Sequence, residues 1–166
     1  MGKVQAGFGN GSPGAITRSV DDIVISVKNA GSEEIAFGTP VFLDSGGAVP
    51  FSTASPQEFR DFLGFAVRVA DKTPDTYPQD QSGGEQAGAW KPGDVMEVLV
   101  RGGITVELAA GGETGDPVCI RKSDGALTGV AGQEGTTVPL ENVRIRRPAG
   151  AGGRSTEVVV NRRNLI

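Results

Sequence analysis

Apolar residues in this chain fall into short runs with a period of two, the spacing of β-strands with one buried face. Leu63, Phe65, Val67 and Val69 alternate with Gly64, Ala66 and Arg68. Ile23-Val24-Ile25-Ser26-Val27-Lys28 is a β-branched run that turns Ile23, Ile25 and Val27 toward a core and stops at the turn cluster Asn29-Ala30-Gly31-Ser32. A second strand is expected from Ile35 to Leu43. Pro40 lies within it, has no N–H for a ladder, and so marks an edge or a bulge. Asp44-Ser45-Gly46-Gly47 ends that strand. Further short strands are expected at 118–121, near 127–130, near Val138, at 143–146 and at 156–161. The single helical signal, Pro56 to Asp61 behind Ser55 as N-cap, predicts one turn at most.

Residues 95–108, VMEVLVRGGITVEL, carry the strongest local pattern and read as a β-hairpin. A two-residue Gly102-Gly103 turn would oppose Val100 to Thr105 and Val98 to Glu107, mixing polar and apolar side chains. A three-residue loop, Arg101-Gly102-Gly103, pairs Val100 with Ile104, Val98 with Val106 and Met96 with Leu108. A one-residue slip exchanges the faces, so the second register is expected.

These segments predict an all-β chain. The expected architecture is a single-domain β-sandwich, jelly-roll-like or a small barrel, of about eight to ten short strands over residues 19–166. Residues 1–18, rich in Gly, Ser and Pro, read as an extended N-terminal arm that Phe8 could anchor. Residues 71–94 read as a long polar loop that holds Tyr77 and, near its end, Trp90. No segment alternates strand and helix in the manner of a parallel sheet.

Composition narrows the chemistry. The 166 residues include 26 Gly and 10 Pro, which suits turns and disfavours long helices. There is no His, which removes the usual triad base and the commonest metal ligand. One Cys allows no intrachain disulfide and no thiolate zinc cluster; Cys119 reads as a small strand residue. Gly7-Phe8-Gly9-Asn10-Gly11 neither follows a strand nor opens a helix, as a phosphate loop would. The acids Asp21-Asp22, Glu33-Glu34, Asp94 and Glu97 read as solvated turns rather than a glycosidase pair, and Asp71, Asp75 and Asp80 lack calcium-loop spacing. No catalytic, cofactor or metal site is expected. No run of apolar residues is long enough to cross a membrane as a helix.

The net charge of −4 is uneven: residues 1–120 carry 8 basic and 16 acidic side chains, residues 121–166 carry 8 basic and 4 acidic. Arg144, Arg146 and Arg147, with Arg154, Arg162 and Arg163, form the basic set. Interleaved aromatics for base stacking are missing, so contact with an acidic protein surface, or a solvated strand with no special role, is expected ahead of nucleic acid. Phe8, Tyr77 and Trp90 join Arg144, Arg146 and Arg147 as candidate interface residues, Tyr and Trp because such side chains dominate binding hot spots. Trp90 as core remains the alternative.

Several segments in order resemble the structural cement proteins of tailed bacteriophages. Gly38-Thr39-Pro40-Val41 resembles that family's early G-x-P-V strand, and Leu63-Gly64-Phe65-Ala66-Val67 the strand after it. Tyr77 followed by Trp90-Lys91-Pro92-Gly93-Asp94-Val95, then the segment 100–106 and Gly115-Asp116-Pro117-Val118, continue the pattern over roughly residues 36–130. The resemblance implies a non-enzymatic protein on the outer face of an icosahedral head. It also implies the major capsid protein and a second or third copy of the chain as partners, no cofactor, and assembly in the bacterial cytoplasm. The classes left as alternatives are another virion or tail β-module, carbohydrate-binding ones included, and a small trimeric nucleotide hydrolase, whose lid Gly150-Ala151-Gly152-Gly153-Arg154 faintly resembles.

Overall fold

The computed structural model describes residues 11–17, 20–52, 61–69, 88–129, 136–149 and 154–162. Phe8, Tyr77, Arg163, the expected helical turn at 56–60, most of the 71–94 loop and the glycines at 150–153 lie outside these.

Among the described residues the chain is all-β, as expected. The strands are β1 (Ile23–Lys28), β2 (Ile35–Ala36), β3 (Pro40–Asp44), β4 (Gly47–Pro50), β5 (Phe62–Ala66), β6 (Ala89–Trp90), β7 (Val95–Leu108), β8 (Pro117–Arg121), β9 (Leu127–Thr128), β10 (Thr137–Ile145) and β11 (Arg154–Val160). One curled sheet has the order β4-β3-β5-β7-β11-β10-β8-β9, with β1 paired to β7 off that path; β2 and β6 form a separate ribbon.

The hairpin expected at residues 95–108 is instead one continuous strand. β7 pairs with β1 and β5 through its first half and with β11 through its second, from Gly102↔Val160 to Leu108↔Arg154. Gly102 has φ +118°, a conformation that side chains disfavour, and an added Cβ there would run into the Asp22 carboxylate. An added Cβ at Gly103 would run into the Thr17 hydroxyl. The glycines therefore bend the strand and let the N-terminal chain come close.

They also exchange its faces. Met96, Val98 and Val100 belong to one apolar cluster, whereas Ile104, Val106 and Leu108, at the same parity, belong to the other. Apolar positions on both sides of a Gly-Gly pair fit a folded-back hairpin and a bent strand equally well, and local pattern alone does not distinguish them.

The larger cluster lies between the two halves of the curled sheet. It joins Phe42, Phe62, Phe65 and Leu99 to Val118, Ile120, Leu140, Val143, Ile145, Val158 and Val160. Phe62 meets Phe42 and Phe65 edge-on at 5.8 and 5.4 Å, the geometry that ring quadrupoles favour. The second cluster lies on the opposite face of the first half and is covered by the β2–β6 ribbon. There Ile35 pairs with Trp90, and Phe37 meets the indole at 6.2 Å. The first half curls until β1 and β4 touch, where Ala30 N–H donates to Ala48 O at 3.0 Å.

Other departures from the expected pattern have local causes. The strand expected at 35–43 is split by a turn at Phe37-Gly38, and Pro40 opens β3, where its missing N–H does no harm. β5 is buried on both faces, not one: Val41 pairs with Gly64 and Phe42 with Phe62, so the extra residue sends Leu63 and Phe65 to different clusters. The strands expected near Val138 and at 143–146 merge into β10 around Asn142, which has φ 64°.

Gly102→Ala is expected to destabilise the fold by about 2–4 kcal/mol, because it adds both backbone strain and a clash with Asp22. Urea unfolding followed by circular dichroism measures the loss.

Candidate interaction surface

β10 and β11 set the basic residues. Val143 and Ile145 point into the core, so Arg144 projects from the outer face, opposite Val159. Arg146 and Arg147 follow where β10 ends. Their N–H groups donate to Glu157 O at 2.9 and 3.3 Å, and Thr156 Oγ1 donates to Arg147 O at 2.6 Å.

Those backbone bonds aim both guanidinium groups at the Glu157 side chain, which is 7% exposed. Arg146 Nη1 lies 3.2 Å from Oε1 and Arg147 Nε 3.1 Å from Oε2. Thr17 Oγ1, reaching across Gly103, donates to Oε1 at 2.7 Å. A buried carboxylate must be paired and hydrogen-bonded to be tolerated, and Glu157 meets both conditions. Two of the three candidate arginines thus have a structural task, and two guanidinium charges against one carboxylate leave a positive surplus. Arg144 is exposed and makes no ion pair among the described residues.

Residues 14–17 of the expected arm lie along β7. Gly14 N–H donates to Thr105 O at 2.8 Å, Thr105 N–H to Ala15 O at 2.9 Å and Thr17 N–H to Gly103 O at 2.9 Å. Thr17 then ties this segment to Glu157, and through it to the end of β10.

Trp90 is 4% exposed, and its indole N–H donates to Val67 O at 3.0 Å. The structure places it in the core. Burial pushes the Cys119 thiol above its ordinary range, against the smaller opposing pull of Arg144, and keeps it protonated. At the end of β8 the carboxylate of Asp124 is held below its ordinary range by hydrogen bonding to Arg121 and to Ala126 N–H. Asp124 also lines an open groove of about 440 Å³ with Glu33, Asp44 and Phe51, so the molecule carries an acidic concavity as well as a basic face.

Two sequence motifs are explained by turns. In Lys91-Pro92-Gly93-Asp94, Gly93 has φ +85° and Asp94 Oδ2 accepts the Lys91 N–H at 3.0 Å. In Glu113-Thr114-Gly115-Asp116, Gly115 has φ +94° and Asp116 Oδ2 accepts the Glu113 N–H at 2.9 Å. Gly-Asp is thus one device used twice, a left-handed glycine followed by an acid that closes the turn.

Residues 2–161 match the family model described as structural cement protein (E217 gp24/Pam3 gp6). The chain belongs to this family. Its fold is similar to that of a chain in the capsid of Myoviridae phage XM1, with TM-score 0.70 and 18% identity over 98% of this chain and 97% of that one. A head fibre gp8.5 N base chain of bacteriophage phi29 is aligned over 87% of this cement protein and 99% of its own length, at TM-score 0.41 and 11% identity. No curated protein matches the sequence. The cement protein is a structural component of the phage virion.

The sequence did not mark Glu157 or Thr17. A single acid within Ser155-Thr156-Glu157-Val158-Val159 reads as an ordinary outward residue of a strand, and its partners Arg147, Arg146 and Thr17 lie 10, 11 and 140 positions away.

Glu157→Gln is expected to cost about 1–3 kcal/mol, since it leaves two guanidinium groups without their counter-charge. Trp90→Ala is expected to cost about 3–5 kcal/mol by opening a cavity in the second cluster. Thermal unfolding of the isolated protein checks both.

Proposed function

We propose that this cement protein binds the outer surface of an icosahedral head and stabilises the shell, with Arg144 as the charge that meets an acidic surface of the major capsid protein. The observation that carries this reading is the division of labour among the arginines. Arg146 and Arg147 are fixed by Glu157, while Arg144 stands exposed on the same side of β10 with no ion pair among the described residues.

The same reading has the protein assembling onto heads in the bacterial cytoplasm, as more than one copy, without nucleic acid, membrane or cofactor. Support comes from the burial of Trp90, which removes a stacking platform, and from the use of the arginines in a carboxylate cluster. A non-enzymatic role is supported by the absence of His and by a Cys119 thiol kept protonated by burial. Tyr77 and Phe8 remain candidates for the same contact on sequence grounds.

Purified heads lacking the protein provide the test. The wild-type chain is expected to co-sediment with them and raise their melting temperature. Arg144→Glu is expected to weaken that binding about tenfold or more through like-charge contact, with the melting temperature of the free protein unchanged. Unaltered binding by this variant would remove Arg144 from the interface, and failure of the wild type to bind would remove the reading itself.

A further inference from the structure

Residues 12–17 form a strap that runs from the first half of the molecule to the basic face. At one end Arg68 N–H, just past β5, donates to Gly14 O at 2.8 Å. Gly14, with φ +80°, packs so closely there that an added Cβ would lie 2.7 Å from Phe37 Cβ and 2.9 Å from Arg68 N. At the other end the strap follows the second half of β7, and the Thr17 hydroxyl reaches Glu157 Oε1 at 2.7 Å. Arg146 Nη1 shares that oxygen, while Arg147 Nε takes Oε2. Glu157 thus links the strap to two guanidinium groups whose side chains are 51% and 64% exposed.

The guanidinium pair needs that link to keep its shape. Two like charges on neighbouring residues repel, and long arginine side chains lose their orientation unless something fixes it. The Glu157 carboxylate supplies the attraction, and Thr17 completes Oε1 with a neutral donor instead of a third positive charge. Each arginine gives one nitrogen to Glu157, so most of its N–H donors are left over for a second oxyanion. We propose that Thr17 is a positioning residue for this face, so that docking of the strap and capture of a carboxylate by Arg144, Arg146 and Arg147 are coupled. With the strap docked the pair is preorganised. With it lifted, Glu157 turns toward water and the arginines lose their fixed spacing, so the two events favour each other. The coupling deepens the shell-binding reading and rests on it only for the identity of the acidic partner.

The test uses the full chain without heads, with a glutamate hexapeptide at low ionic strength as the acidic probe. Thr17→Val removes the hydroxyl at nearly constant volume, and Thr17→Ser keeps it. Gly14→Ala strains the strap at a point remote from Glu157. Thr17→Val and Gly14→Ala are each expected to raise the dissociation constant of the peptide about fivefold or more, while Thr17→Ser stays within about twofold of the wild type, all with unchanged circular dichroism. Because coupling is reciprocal, saturating peptide is expected to slow hydrogen exchange at the Thr17 and Thr105 amides, which bond within the strap contact, by a similar factor in the wild type and not in Thr17→Val. A Thr17 that only stabilises the fold would lower the melting temperature and leave affinity and peptide-dependent protection as they are, which overturns the proposal. A wild-type chain that does not bind the peptide, or binds it without slowing those amides, also overturns it. Failure of the protein to bind heads, with the peptide coupling intact, would instead remove the shell-binding reading alone.

Discussion

The fold depends on one strand being able to change direction and face. β7 is central to the curled sheet, and each of its halves faces a different set of partners. Without a bend, the aromatic cluster of Phe42, Phe62 and Phe65 could not close against Val118, Ile120 and Val158. Gly102 and Gly103 supply the bend and also the space into which Asp22 and Thr17 fit. A backbone requirement and a packing requirement coincide at two adjacent residues, which is why neither tolerates a side chain.

The electrostatic organisation follows from that space. Thr17 reaches Glu157 only because Gly103 has no Cβ in the way, and Glu157 is stable where it lies because Arg146 and Arg147 converge on it. Isolated surface ion pairs contribute roughly 0–1 kcal/mol, but a buried carboxylate satisfied by three donors from two other segments fixes register as well as charge. The N-terminal segment, β7, β11 and the end of β10 are held together through this one side chain. Arg144 and the surplus charge beside it remain on the outer surface.

The sequence revealed strands better than it revealed their connections. β1, β8 and β11 are continuous β-branched or apolar runs, and their limits agree with the alternation within a residue or two. The family motifs were legible because they are turn chemistry, a local matter of Gly93-Asp94 and Gly115-Asp116. The fate of Gly102-Gly103 was not legible, since whether a glycine pair reverses a strand or bends it is decided by segments 80 residues upstream and 50 downstream. The candidate arginines were found by counting charge, but their division into structural and exposed members depends on Glu157, a pairing with no local signal. Trp90 was placed among binding candidates by its residue type; the β2–β6 ribbon, which buries it, rests on a two-residue match with Ile35 that no periodicity announces.

The partners of β7 come from far apart along the chain: residues 14–17 and β1 before it, β5 nearer by, and β11 almost at the last residue described. The largest interior surface therefore cannot form until the C-terminal strand has left the ribosome. Such long-range pairing is slow, because loop closure is opposed by chain entropy before contacts offset it. The order also bears on the charges of β10. A chain that lacks the β11 rung also lacks Glu157, so the guanidinium groups of Arg146 and Arg147 have no counter-charge and the end of β10 loses its tie to the N-terminal segment.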